Sequence, residues 1–101
     1  MKPSNADPSL LILASLAGGP HHGYAMIEDI ERSTGNRLGP GTLYGAIARL
    51  ERRGLIEPVK TSDRRRPYRL TSAGGALLAS EVDALERVLQ LARSRMGESG
   101  S

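Results

Sequence analysis

From Ser72 to the end the chain contains no proline, and Leu78, Val82, Leu85, Leu89, Ala92 and Met96 recur at intervals of four, three, four, three and four residues. That spacing lines six apolar side chains along one seam of a single long helix, at the a and d positions of a heptad. Leu77, Val88 and Leu91 widen the stripe, so its first part can lie on its own domain while the rest meets another copy. A chain of 101 residues buries well under three quarters of its unfolded surface and has little other apolar area to lay against so long a stripe. A second copy of the chain is therefore the expected cover. The alternative is that the whole stripe is intramolecular core.

Ahead of Ser72 the order of elements is short and legible. Leu10 to Ala17 is a buried helix with Ser9 as its expected N-cap, ended by Gly18-Gly19-Pro20. Tyr24 to Ser33 is amphipathic, with Ala25, Met26, Ile27 and Ile30 inward, Glu28, Asp29, Glu31 and Arg32 outward, and Gly35 as its stop. Pro40 suits a first helical position and Gly54 a terminus, so Pro40 to Arg53 is the third helix. Two extended segments follow, Ile56 to Lys60 and Tyr68 to Thr71, separated by a polar loop from Thr61 to Pro67. Helix, helix, helix, hairpin predicts a mainly α winged helix-turn-helix with a small β-hairpin. Ser72 is a possible N-cap for the last helix. The expected boundaries are a flexible 1–8, a winged domain at 9–71, a dimerisation helix at 72–96 and a disordered tail at 97–101.

The third helix has an unusual surface. At about 100° per residue, Leu43, Ile47 and Leu50 share one side, while Gly41, Gly45, Ala48, Arg49 and Arg52 fall opposite. Glycine in a helix interior costs about 1 kcal/mol relative to alanine, so a bare, basic outer face implies something that must come close. Charge points to the same region. Residues 1–36 hold two basic and four acidic groups, residues 37–69 nine and three, and residues 70–101 three and four, giving −2, +6 and −1. The excess coincides with the small-faced helix and with Arg64-Arg65-Arg66 in the hairpin loop, which favours a phosphate-binding surface. The expected partner is double-stranded DNA, with the third helix in the major groove. Thr42 and Tyr44 can hydrogen-bond a phosphate or base edge from the helix start, Arg49 and Arg52 lie further along the same side, and the wing arginines track phosphates or enter a minor groove. Tyr44 can equally pack against the second helix.

The segments PHHGYAMIEDIE (Pro20 to Glu31), GTLYGAIARLERRGLI (Gly41 to Ile56) and RRRPYRLTSAG (Arg64 to Gly74) closely resemble the PadR family of bacterial transcriptional regulators, over about Leu10 to Gly74. The resemblance implies a winged helix-turn-helix homodimer of the short branch with one helix after the wing. It implies a regulator that is usually a repressor, released from its operator by a small molecule or another signal, and a two-fold dimer of recognition helices about 34 Å apart predicts that the operator is an inverted repeat. It also puts a tyrosine at the position of Tyr24, where it either touches the DNA backbone or staples the core. Some relatives stack aromatic ligands on Trp at the dimer centre. This chain has no Trp and no Phe, and Tyr24, Tyr44 and Tyr68 all lie in the DNA-binding half, so any effector pocket is expected to be aliphatic.

Other classes fare worse. There is no Cys, which removes thiolate catalysis, disulfides and Cys-based zinc and fits a reducing cytoplasm. His21 and His22 sit together in one turn with no carboxylate at ligand spacing, so they are expected as turn residues; no metal, cofactor or enzymatic site is expected. Gly74-Gly75 lacks the strand and spacing of a nucleotide loop and is expected to mark a crowded helix start. The apolar run from Leu10 to Ala17 is too short for a membrane span. The remaining alternative is a winged helix that binds proteins and not DNA, against which the three consecutive arginines weigh.

Overall fold

Proline lacks a backbone N–H, and the first turn of a helix has no intrahelical use for one. Pro8 accordingly opens α1 (Pro8–Leu16), and Asp7, not Ser9, is the cap: its carboxylate accepts from the Ser9 amide at 3.1 Å. The structure, a computed structural model, describes residues 7–97. The expectations of a flexible 1–8 and a disordered 97–101 fall largely outside those residues; within them Pro8 is already helical and Gly97 caps the last helix at φ 79°.

His22 opens α2 (Gly23–Thr34) by accepting the Ala25 amide on Nδ1 at 3.2 Å, and Gly35 closes it in the left-handed region at φ 80°, where the absence of a Cβ removes the clash. The turn histidines therefore have structural work: His22 is a cap, and His21 pairs with Tyr68 through both backbone groups, at 3.1 and 2.9 Å. α3 (Pro40–Arg52) follows, with Gly39 at its N-cap and no side-chain cap. The hairpin strands are shorter than expected, β1 (Ile56–Pro58) and β2 (Tyr68–Leu70), antiparallel with Ile56 opposite Leu70 and Pro58 opposite Tyr68. Beyond them the strands are replaced by turns around Asp63.

Thr71, one residue earlier than expected, caps α4 (Ser72–Met96) by accepting the Gly74 amide at 3.1 Å; its hydroxyl also donates to the Gly54 carbonyl at 2.6 Å. That second bond ties the start of α4 to the end of α3. Gly74 is the one buried residue of α4, and a Cβ there would collide with the Leu55 carbonyl oxygen, so the crowding expected of this glycine is real while Gly75 faces open space.

The core collects one face from each of the first three helices and the hairpin. Ile12, Met26, Leu43, Leu50 and Ile56 are fully buried, and Leu38, Leu70, Leu77 and Leu78 pack around them. Ala46 joins Leu43, Ile47 and Leu50, so the buried stripe of α3 is wider than the sequence pattern indicated. Asp29, expected to face outward, turns inward: Ser15 Oγ, itself buried, donates to its carboxylate at 2.6 Å and so satisfies a polar group between α1 and α2. Beyond Leu78 the last helix leaves the body, and the molecule measures 53 × 29 × 20 Å.

Candidate nucleic-acid interface

Burying Leu43, Ala46, Ile47 and Leu50 turns the opposite side of α3 to solvent, and Gly41, Thr42, Tyr44, Gly45, Ala48, Arg49 and Arg52 are all exposed there. The helical glycines without a positive φ differ in what surrounds them. At Gly74 a Cβ would strike the Leu55 backbone carbonyl, so packing forbids a side chain there, whereas at Gly23 it would displace the tip of the Tyr44 ring. Above Gly41 nothing lies within 4 Å, and above Gly45 only Arg49 Nη1 at 3.7 Å. Neither adopts a positive φ. Nothing among the described residues requires these two glycines, and Gly45, in the helix interior, costs about 1 kcal/mol of helix propensity relative to alanine.

Tyr44 packs against the second helix, its ring lying on Gly23 at the start of α2, and 53% of the residue stays exposed. Tyr24 is 56% exposed and is no staple of the core. Tyr24 stands in the first turn of α2, next to the Gly23 on which the Tyr44 ring rests.

The wing separates the three arginines that the sequence presents as equivalent. Asp63 organises the loop: its amide bonds Thr61 Oγ1 at 3.2 Å, and its carboxylate accepts from the Arg65 amide at 2.9 Å and from Arg65 Nε and Nη2 at 3.1 Å each. The hydrogen bonds from Arg65 hold the Asp63 carboxyl below its ordinary value, and the same pairing holds the Arg65 guanidinium above its own. Arg64 and Arg66 flank this clamp, exposed and without an ion pair among the described residues, and Arg66 sits at φ 56° at the turn. At the base of the wing Arg69 is paired across the strands with Glu57 at 2.8 Å. Arg49 and Arg52 are likewise exposed and unpaired among the described residues.

Sequence reasoning passed over one exposed cation near this face. Arg37, in the turn before α3, meets Glu31 Oε1 through Nη1 at 2.6 Å. Its signal was present, since it is the first basic residue of the positive segment and stands immediately before the recognition-type helix.

Of the expected dimer seam, Leu78 packs half-buried against the body beside Leu77. Val82, Leu85, Leu89, Ala92 and Met96 are exposed, as are Val88 and Leu91. The stripe is therefore not core of the single chain beyond its first turns. Along α4 a shallow concavity of about 420 Å³ is lined by Asp83, Glu86, Arg87, Leu89, Gln90 and Arg93. Its lining is mostly charged. Among the described residues no helix is long and apolar enough to cross a membrane.

Three helices, a two-stranded wing and a projecting C-terminal helix define a winged helix-turn-helix protein. The chain belongs to the PadR-like family of transcriptional regulators, whose family model matches residues 12–80. It is 40% identical over 91 residues to the transcriptional regulator Rv3488 of Mycobacterium tuberculosis, covering 87% of this chain and 81% of that protein. It is 49% identical over 82 residues to a 37.1 kDa protein of transposon TN4556 from Streptomyces fradiae, covering 81% of this chain but only 24% of that longer protein. A transcriptional activator, GvpE2 of Halobacterium salinarum, is 33% identical over 90% of this chain and 44% of its own length, which extends the resemblance beyond bacteria. Among solved structures, a transcriptional regulator from Clostridium thermocellum superposes with a TM-score of 0.77 at 26% identity, covering 91% of this chain and 97% of that one. A PadR family regulator from Clostridium difficile superposes with a TM-score of 0.70 at 25% identity, covering 88% and 96%.

Proposed function

We propose that this chain is a sequence-specific DNA-binding regulator that acts as a homodimer on an inverted-repeat operator in the cytoplasm. The observation that carries the reading is the open space above Gly41 and Gly45: two glycines that nothing among the described residues requires, on the face that also bears Thr42, Tyr44, Ala48, Arg49 and Arg52. A helix entering the major groove brings its backbone close to base edges, and small residues on the leading face permit that approach. Arg64 and Arg66 extend the contact to phosphates from the wing, with Arg65 shaping the loop. The unpaired arginines favour a duplex over a protein partner, because a guanidinium fork matches phosphate geometry.

Pairing of the exposed seam on α4 with a second copy holds two α3 helices at fixed separation, about 34 Å or a near multiple on successive turns of duplex. Bound across a promoter, such a dimer represses by occlusion, and a small molecule or other signal that alters the pairing of α4 releases it. Selection of bound sequences from a random duplex pool tests the core of this reading. Enrichment of an inverted repeat with half-sites one turn or a multiple apart is expected. Enrichment of a single asymmetric site would remove the dimer, and no enrichment would remove sequence-specific recognition.

A further inference from the structure

We infer that Arg37 is an additional phosphate contact of this protein and that Glu31 masks it in the free chain. The inference rests on the DNA-binding reading above and adds to it a residue and a means of tuning. Arg37 stands three residues before Pro40, so its Cα is within about 11 Å of the first residue of α3. Its neighbour Leu38 packs against the core, which fixes the turn, while Arg37 itself is exposed. The guanidinium donates from Nη1 to Glu31 Oε1 at 2.6 Å, a carboxylate six residues earlier on the outer side of α2, and the Tyr24 side chain is also within its reach. Glu31 raises the pKa of Arg37, and Tyr24, exposed in the first turn of α2, adds to that. Tyr24, Glu31 and Arg37 therefore form one cluster at the approach to the open face.

The turn does not need this ion pair. Thr34 Oγ1 donates to the Ile30 carbonyl at 2.7 Å and accepts the Asn36 amide at 3.1 Å, and Gly35 already supplies the left-handed cap. With both side chains about half exposed, at 53% and 44%, the pair is screened and contributes little to folding. Its consequence lies in binding. A phosphate arriving at the start of α3 competes with Glu31 for a guanidinium whose Nε and Nη2 are not engaged by Glu31, and Glu31 itself repels that phosphate. The α2 carboxylate thus sets how strongly the turn contributes to affinity.

The test uses the full-length protein and a short heterologous duplex, because phosphate contacts do not depend on sequence. Arg37→Ala should weaken binding and flatten the log–log salt dependence by about 0.9 per protomer, so that a fourfold rise in salt costs the variant about 3.5-fold less affinity for each phosphate left unneutralised. Glu31→Gln should tighten binding at low salt, and by more when Arg37 is present than in the Arg37→Ala background. An unchanged salt slope in Arg37→Ala overturns the contact. An equal gain from Glu31→Gln in both backgrounds overturns the mask, since Glu31 would then act through its own charge alone. If the wild-type protein shows no salt-sensitive duplex binding, the DNA-binding reading fails with it; if wild type binds and only these variants behave as wild type, the failure belongs to Arg37 alone.

Discussion

The body and the last helix are built on the same principle and end in opposite states. α1, α2 and α3 each carry an apolar face that the other two and the hairpin cover, so Ile12, Met26, Leu43 and Leu50 are fully buried. α4 carries a comparable stripe, but past Leu78 nothing among the described residues covers it, and Leu85 and Leu89 remain about half exposed. An apolar side chain within a packed body contributes to folding, whereas one on an uncovered helix contributes only when another surface arrives. The glycines divide the same way. Gly74 is demanded by close packing inside the chain, and Gly41 and Gly45 are open to whatever meets α3. Among the described residues the exposed large hydrophobics lie along α4 and at Tyr24 and Tyr44, and Tyr44 shares α3 with Gly41 and Gly45.

The largest effect that would sharpen this contrast is at the open glycines. Gly45→Glu puts bulk and negative charge between α3 and a groove, and should abolish specific operator binding, a drop of about a thousandfold or more, while thermal unfolding and oligomeric state stay as in wild type. Operator affinity close to wild type in a gel shift would show that this face is not the one that meets DNA. Next come matched truncations in the two regions. Leu50→Ala, in the body, should lower unfolding free energy by about 2–5 kcal/mol in denaturant titration. Leu89→Ala should weaken dimerisation and leave the unfolding of the dissociated chain little changed; equal destabilisation from both would mean that α4 is covered in the monomer.

A smaller effect is expected in the wing. Replacing Arg64 and Arg66 with Ala should flatten the salt dependence of binding by about 0.9 log units for each phosphate the wing no longer neutralises, uniformly across sequences. Arg65→Ala should act differently, by loosening the loop that Asp63 organises. The smallest effect concerns acid. Because pairing with Arg65 lowers the folded pKa of Asp63 from its ordinary 3.8, the ordering it supplies is fully present above that value and disappears only as pH falls through the depressed one. The Arg65 side-chain N–H signals in an NMR titration should therefore persist through pH 3.8; their disappearance well above it would mean that the clamp does not form.

Much of this architecture is legible in the sequence because local rules and tertiary demands agree. Pro40, Gly35 and Gly54 punctuate helices where backbone chemistry requires, and the heptad spacing of Val82, Leu85, Leu89, Ala92 and Met96 survives as an exposed seam. What escapes depends on interactions between distant residues. Asp29 reads as an outer acidic position until Ser15, fourteen residues earlier, meets it at 2.6 Å. Leu78 fits the seam by spacing but is claimed by the body, because Gly74 and Thr71 bind the first turn of α4 to Leu55 and Gly54. The three wing arginines are alike in sequence and are separated only by a carboxylate that selects one. The caps at Asp7 and Thr71 each lie near the expected residue, since neighbouring polar side chains compete for the same amides.

The proposal that a second chain covers the exposed seam of α4 is tested most directly by sedimentation of Leu85→Glu/Leu89→Glu beside wild type. In a paired seam the double variant gathers four carboxylates, a penalty of several kcal/mol from desolvation and repulsion. Wild type should sediment at twice the mass of one chain and the variant at the mass of one, with the body still folded and a weak, salt-sensitive attraction to any duplex retained. A variant that remains dimeric would show that the seam on α4 is not what joins the copies.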